Sequence, residues 1–121
     1  MVIDSNILID YLNGEEQVIE TLSKWKLSGR SLLISSISRA EILASPSLNP
    51  MQITEIGDFL EEFISISFDD RIADMAARLR RDYRIKFPDA GIAATALIQR
   101  MPLVTRDRQF VRVPELEVIE I

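Results

Sequence analysis

Short apolar runs of strand length alternate along this chain with longer stretches of helical period. That alternation narrows the choice of fold more than any other feature. The runs are Val2-Ile3, Ser31 to Ser35, Phe63 to Phe68, Leu103 to Thr105 and Leu116 to Ile121. Each is too short for a helix and is bounded by polar residues, glycine or proline. Apolar strands separated by helices predict an α/β chain: a five-stranded parallel sheet covered by helices on both faces. In the last run, Glu117 and Glu120 supply the charge that keeps an edge strand from pairing with other sheets.

The intervening stretches read as helices. Ile7, Leu8, Tyr11 and Leu12 repeat at helical spacing and stop at Asn13-Gly14. Glu15 to Leu27 follows, with Val18, Ile19, Leu22 and Trp25 or Lys26 on one face. Ile37 to Ala44 ends at Ser45-Pro46. Asn49-Pro50 opens a helix that turns Ile53, Ile56, Phe59 and Leu60 inward. Asp69 caps a long helix with Ile72, Ala76, Leu79 and Tyr83 on one face, and Lys86-Phe87-Pro88 breaks it. Asp89 to Arg100 is rich in small residues, which let a helix lie close against its neighbour.

The 121 residues predict one domain, spanning 1–121. The absence of cysteine excludes disulfides and thiolate chemistry, and the absence of histidine excludes Ser-His catalysis and the usual zinc sites. No apolar run approaches the ~20 residues of a membrane span. No basic leader region is present, so a soluble cytoplasmic protein is expected. The net charge of −5 argues against a nucleic-acid partner, but the charge is unevenly spread. Residues 1–70 carry 4 basic and 12 acidic side chains, and residues 71–121 carry 10 basic and 7 acidic. The densest basic stretch, Arg78, Arg80, Arg81, Arg84 and Lys86, reads either as a solvated helix face or as a phosphate-contacting strip.

A parallel sheet delivers the loop after every strand to one edge, where such folds place their chemistry. Asp4 ends the first run, Glu41 lies early in the helix after the second, and Asp107 follows the fourth by two residues. Asp89 joins them only if the preceding helix returns the chain to that edge. Each acid also has an ordinary reading. Asp4, Asp89 and Asp107 suit helix caps, and Ser38-Arg39-Ala40-Glu41 fits a capping box. Together, though, converging acids repel one another unless a cation lies among them. Oxygen ligands without His or Cys suit Mg²⁺ or Mn²⁺. Such ions activate water and offset charge on a phosphoryl group. No G-x-G-x-x-G or P-loop is present to cradle a nucleotide.

Four segments resemble the motifs of PIN-domain ribonucleases: Val2-Ile3-Asp4-Ser5-Asn6-Ile7-Leu8, Ser38-Arg39-Ala40-Glu41-Ile42, Phe87 to Ala96, and Leu103 to Phe110. The third is the most specific. The compact size is similar to that of VapC-type toxins of bacterial and archaeal toxin–antitoxin pairs. The resemblance implies strand order 3-2-1-4-5 and Mg²⁺- or Mn²⁺-dependent endoribonuclease activity through a metal-activated water, leaving 5′-phosphate and 3′-hydroxyl ends. It carries Asp4, Glu41, Asp89 and Asp107 over as catalytic acids holding one or two ions, with Asn6 and Thr105 as polar support. Many relatives have an acid or His where this chain has Gln109.

The partners so implied are an RNA (tRNA, rRNA or mRNA), a cognate antitoxin and a second copy in a homodimer. Arg78, Arg81, Arg84, Lys86, Arg106 and Arg108 are the candidates for RNA-backbone contacts. Trp25, Phe59 and Phe63 are either walls for an antitoxin's apolar residues or ordinary core. The competing readings are a PIN-like binding module without catalysis, and a PIN nuclease of RNA processing or repair outside any toxin pair.

Overall fold

The computed structural model describes residues 1–121. The elements are β1 (Val2–Ile3), α1 (Ser5–Leu12), α2 (Glu16–Leu27), β2 (Leu33–Ser35), α3 (Ser36–Leu43), α4 (Pro50–Leu60), β3 (Ile64–Ile66), α5 (Asp70–Tyr83), α6 (Asp89–Gln99), β4 (Leu103–Val104) and β5 (Val118–Ile119). A short 3-10 turn, Arg108–Arg112, follows β4. The strands form one all-parallel sheet of order 3-2-1-4-5, with β1 at its centre. No helix is long and apolar enough to cross a membrane.

Successive strand residues point to opposite faces, and the core divides accordingly. Val2, Leu33 and Leu103 join Ile72, Leu79, Ile92 and Phe110 on the face covered by α5 and α6. Ile3, Ile34 and Val104 join Ile7, Leu8, Val18, Leu22 and Leu60 on the face covered by α1, α2 and α4. Helix α3 serves both sides, with Ile37 in the first cluster and Ile42 in the second. Each fully buried Leu or Ile is worth about 1.5–3 kcal/mol of transfer free energy, so this two-sided burial holds very short strands in place.

Helix α6 shows why its residues are small. Ala90 through Ala96 are all buried. A Cβ on Gly91 would collide with Ile37 Cδ1 and crowd the rings of Phe87 and Phe68. Small side chains let this helix approach α3 and α5 closely.

Several local readings change. The strands after β1 are shorter than their apolar runs, β3 and β5 most of all. Ser38 does not cap α3. Ser35 does, accepting from the Ile37 N–H at 3.1 Å, and Ser38 Oγ is buried without a hydrogen-bond partner. Asp89 is the first residue of α6 and not its cap. That helix stops at Gln99, one residue early, because Arg100 takes a left-handed conformation at φ 54°. Phe63 is core, while Phe59 and Trp25 are half-buried against the same cluster, so Phe63 offers no wall to a partner.

Asn49 caps α4 as expected, within a reciprocal box. Its side chain accepts from the Gln52 N–H at 2.8 Å, and Gln52 Oε1 accepts from the Asn49 N–H at 2.9 Å. Asn49→Ala should lower stability by about 1 kcal/mol, read as a thermal midpoint a few degrees lower. An unchanged midpoint would show the box to be energetically idle.

Candidate active site

Asp4 follows β1 directly, and its backbone N–H still donates to Val104 O at 2.9 Å, extending the β1–β4 ladder by one step. That register sets Thr105 beside it. Thr105 Oγ1 donates to Asp4 Oδ2 at 2.7 Å, and the Ser5 N–H donates to Oδ1 at 2.7 Å. Asp4 therefore does cap α1, so its structural reading is real. It is also only 3% exposed. Burial pushes its carboxyl up to about 6, against the two hydrogen bonds that lower it, and Asp89 and Glu41 add repulsion in the same direction.

The four acids fall into two bridged pairs, Asp4 with Glu41 and Asp89 with Asp107. Ser5 Oγ donates to Glu41 Oε1 at 3.1 Å and lies 3.4 Å from Asp4 Oδ1. Gln109 Nε2 donates to both Asp89 Oδ2 and Asp107 Oδ2, at 2.7 Å each. Glu41 and Asp89 are both shifted upward, first by burial. Asp89 adds repulsion at Glu41, and Asp107 adds it at Asp89. Asp107 also caps the turn after β4 through the Gln109 N–H. Asn6 Nδ2 donates to Thr105 Oγ1 at 3.3 Å, leaving Asn6 Oδ1 buried and unpartnered. Thr105 and Asn6 thus brace Asp4. Ser5, a member of the first motif, and Gln109, where many relatives have an acid or His, are the neutral bridges between acids.

Asp89 reaches this edge by a route other than the expected one. Helix α5 runs away from the edge. At its end the Tyr83 hydroxyl donates to Glu115 Oε1 at 2.7 Å, just before β5 begins. The non-helical stretch Arg84–Pro88 then brings the chain back, so that Phe87 meets Phe68 beyond the end of β3.

This geometry corrects the basic strip. Arg78 lies late in α5, pairing with Glu115 at 3.1 Å and Asp82 at 3.4 Å, and Arg81 and Arg84 lie further along still. They sit toward the opposite edge from the carboxylates. Arg106 is also engaged, with Asp10 at 2.8 Å, with both oxygens of Glu15, and with Ile121 O at 3.3 Å. It ties the turn carrying Asp107 to the α1–α2 corner and is not free to meet a phosphate. Lys86 and Arg108 are exposed and make no ion pair. Arg71, exposed near the start of α5, is a cation of this edge that strand logic overlooked.

The donors offered to a cation are all oxygens, and no Lys or Arg acts on Asp4, Glu41 or Asp89. Such a set fits a hard divalent ion, whose charge would offset the repulsion among them. No three of the side chains stand in the spacing of a ready-made cage. The donor chemistry fits, and holding an ion would require the side chains to rotate.

A profile described as the PIN domain matches residues 1–116. The chain belongs to the PIN-domain family. Over 122 aligned residues it is 29% identical to Ribonuclease VapC19 of Mycobacterium tuberculosis, covering 96% of each chain. Among solved structures, it is similar to a toxin–antitoxin complex from Klebsiella pneumoniae, with 31% identity, a TM-score of 0.83, and 99% and 98% of the two chains covered. VapBC2 of Rickettsia felis, bound to a DNA fragment from its promoter, superposes with a TM-score of 0.86 at 22% identity, covering 99% and 97%.

Proposed function

We propose that this chain is a Mg²⁺- or Mn²⁺-dependent endoribonuclease, the toxin of a type II toxin–antitoxin module, acting in the cytoplasm. The observation that carries the reading is the acidic edge itself. Four carboxylates from four segments gather there, three are shifted upward, and no basic side chain answers them. Likeness to a ribonuclease and to a toxin–antitoxin complex, each over nearly the whole chain, supports the substrate class and an antitoxin partner. The homodimer rests on the motif resemblance alone.

Asp4, Glu41, Asp89 and Asp107 would hold one or two ions. When bound, those ions lower the pKa of water and stabilise charge on the phosphoryl group. Thr105 and Ser5 fix the orientation of Asp4 through its two oxygens. Gln109 keeps Asp89 and Asp107 apart without adding charge. In a chain without histidine, the proton acceptors at this edge are carboxylates. Lys86, Arg108 and Arg71, exposed and without ion-pair partners, would meet the RNA backbone.

The test is incubation of the purified chain with pooled tRNA and ribosomal RNA, with and without Mg²⁺ or Mn²⁺. Cleavage leaving 5′-phosphate ends and stopped by EDTA is expected. Cleavage that ignores EDTA would sink the mechanism. RNA binding or antitoxin association with no cleavage would establish the binding-module reading, and cleavage by a chain with no antitoxin gene beside its own would favour an RNA-processing nuclease.

Thr105→Val removes the hydroxyl that donates to Asp4 and accepts from the Asp107 N–H. A roughly tenfold loss of kcat/KM is expected, as for supporting groups behind metal ligands. Wild-type turnover in that variant would show that Asp4 needs no brace.

A further inference from the structure

Against the helix that Asp89 opens stands a pair of aromatic rings that neither the core nor the acidic site accounts for. Phe68 and Phe87 pack edge to face, their centroids 5.6 Å apart and their planes at 63°. They are 37% and 49% exposed. Phe87 lies two residues before Asp89. The Phe68 N–H donates to Ser36 Oγ at 3.0 Å, on the first residue of the helix that carries Glu41. Both rings rest over Gly91, where a Cβ would crowd them. They are thus fixed to the same two helices that present Asp89 and Glu41. Lys86 adjoins one ring in sequence and Arg71 follows the other by three residues. Both are exposed and neither makes an ion pair.

We propose that Phe68 and Phe87 form a ledge on which one unpaired base of a single-stranded RNA stacks beside the scissile phosphate. This rests on the endoribonuclease reading and extends it. The carboxylates and their ions address only the phosphodiester, which is the same at every nucleotide. The ledge adds the base. A nucleotide matches what is present: an aromatic face for the rings and a phosphate for Lys86 or Arg71. An apolar peptide segment would match the rings and not Lys86 and Arg71, their exposed neighbours in the chain. Stacking of this kind tolerates any base, so the ledge selects unpaired over paired RNA and sets no sequence.

Binding tests this on full-length protein carrying Asp4→Asn, which leaves the RNA intact. The probes are a short single-stranded RNA of mixed sequence and the same backbone bearing abasic riboses. Protein with the native rings should bind the first roughly 5- to 100-fold more tightly than the second. Adding Phe68→Ala and Phe87→Ala should make the two affinities equal. A folded double variant that keeps the full base preference overturns the proposal. So does one that loses only its association with a co-expressed antitoxin, which would make the ledge a protein dock. Should the double variant not fold, Trp25→Phe with Phe87→Trp decides, because the introduced indole must be quenched more by the base-bearing probe than by the abasic one. Equal quenching refutes stacking. Unchanged KM and cleavage in the double variant with Asp4 restored would refute the ledge and leave the nuclease standing. Base preference without cleavage by the native chain would do the reverse.

Discussion

Asp4→Asn should give a protein that is more stable than the parent at pH 7 without metal, and inert toward RNA. The carboxyl of Asp4 titrates near 6 in the folded chain against an ordinary value of 3.8. A folded-state pKa above the unfolded one means that the folded state holds its proton more tightly. Its stabilising contribution is then complete below about pH 4 and is lost as pH rises through about 6. At pH 7 the ionised group costs the metal-free fold about 3 kcal/mol, from the size of that shift. Asparagine cannot ionise and keeps one oxygen to accept from Ser5 or Thr105. A net gain of about 1–2 kcal/mol is expected, with a thermal midpoint several degrees higher in EDTA. The same change removes a charged ligand from the centre of the site and should lower cleavage on the order of 10³-fold. The parent should become more heat-stable in EDTA as pH is lowered from 7 toward 4. A variant that is less stable than the parent at pH 7 would show that Asp4 is held there by its hydrogen bonds and not against its charge.

Gln109→Glu should act in the opposite direction. The amide donates to Asp89 and Asp107 at once, and a carboxylate in its place can only accept. Two charge-assisted hydrogen bonds are lost and a third negative group enters a gap bridged until then by N–H. At pH 7 the metal-free variant should be destabilised by about 2 kcal/mol or more. The deficit should shrink toward pH 4, because like charges raise one another's pKa and the loss is relieved as the carboxyls take up protons. Mg²⁺ or Mn²⁺ should reverse the order, since a cation gains from the added ligand, and calorimetry should report roughly tenfold tighter binding. Weaker metal binding by the variant would mean that Gln109 faces away from any ion.

These two residues mark the limit of what the sequence discloses. The sheet was legible because its strands are apolar on both faces, and the strand order followed from motif resemblance. Asp4, Glu41 and Asp107 were legible because parallel strands place their following residues at one edge. Asp89 came from the motif alone, since its path depends on a non-helical return through Arg84–Pro88 that no periodicity marks. The arginines of α5 were misplaced for the same reason: a helix shows which face is charged but not which end lies near the site. Arg106 stands in the sequence as a candidate RNA-backbone contact, because its partners Asp10 and Glu15 are remote along the chain. Gln109 shows in the sequence only as a departure from the acid or His of many relatives, and Ser5 only as a motif member, because a bridging hydrogen bond exists only once both acids are in place.

The two walls of the acidic site differ in their freedom to move. Asp89 begins a helix whose next seven residues are all buried, wedged between α3 and α5. Glu41 is exposed near the end of an eight-residue helix, held at the site by one hydroxyl. If the proposed ion binds, adjustment would fall to the Glu41 side, with Asp89 as the fixed jaw. Backbone amides of α6 should exchange with deuterium near the rate of global unfolding, and those at the end of α3 far sooner. The two walls thus differ in mobility: one is anchored in the core, and the other is carried on a short helix by a single exposed glutamate.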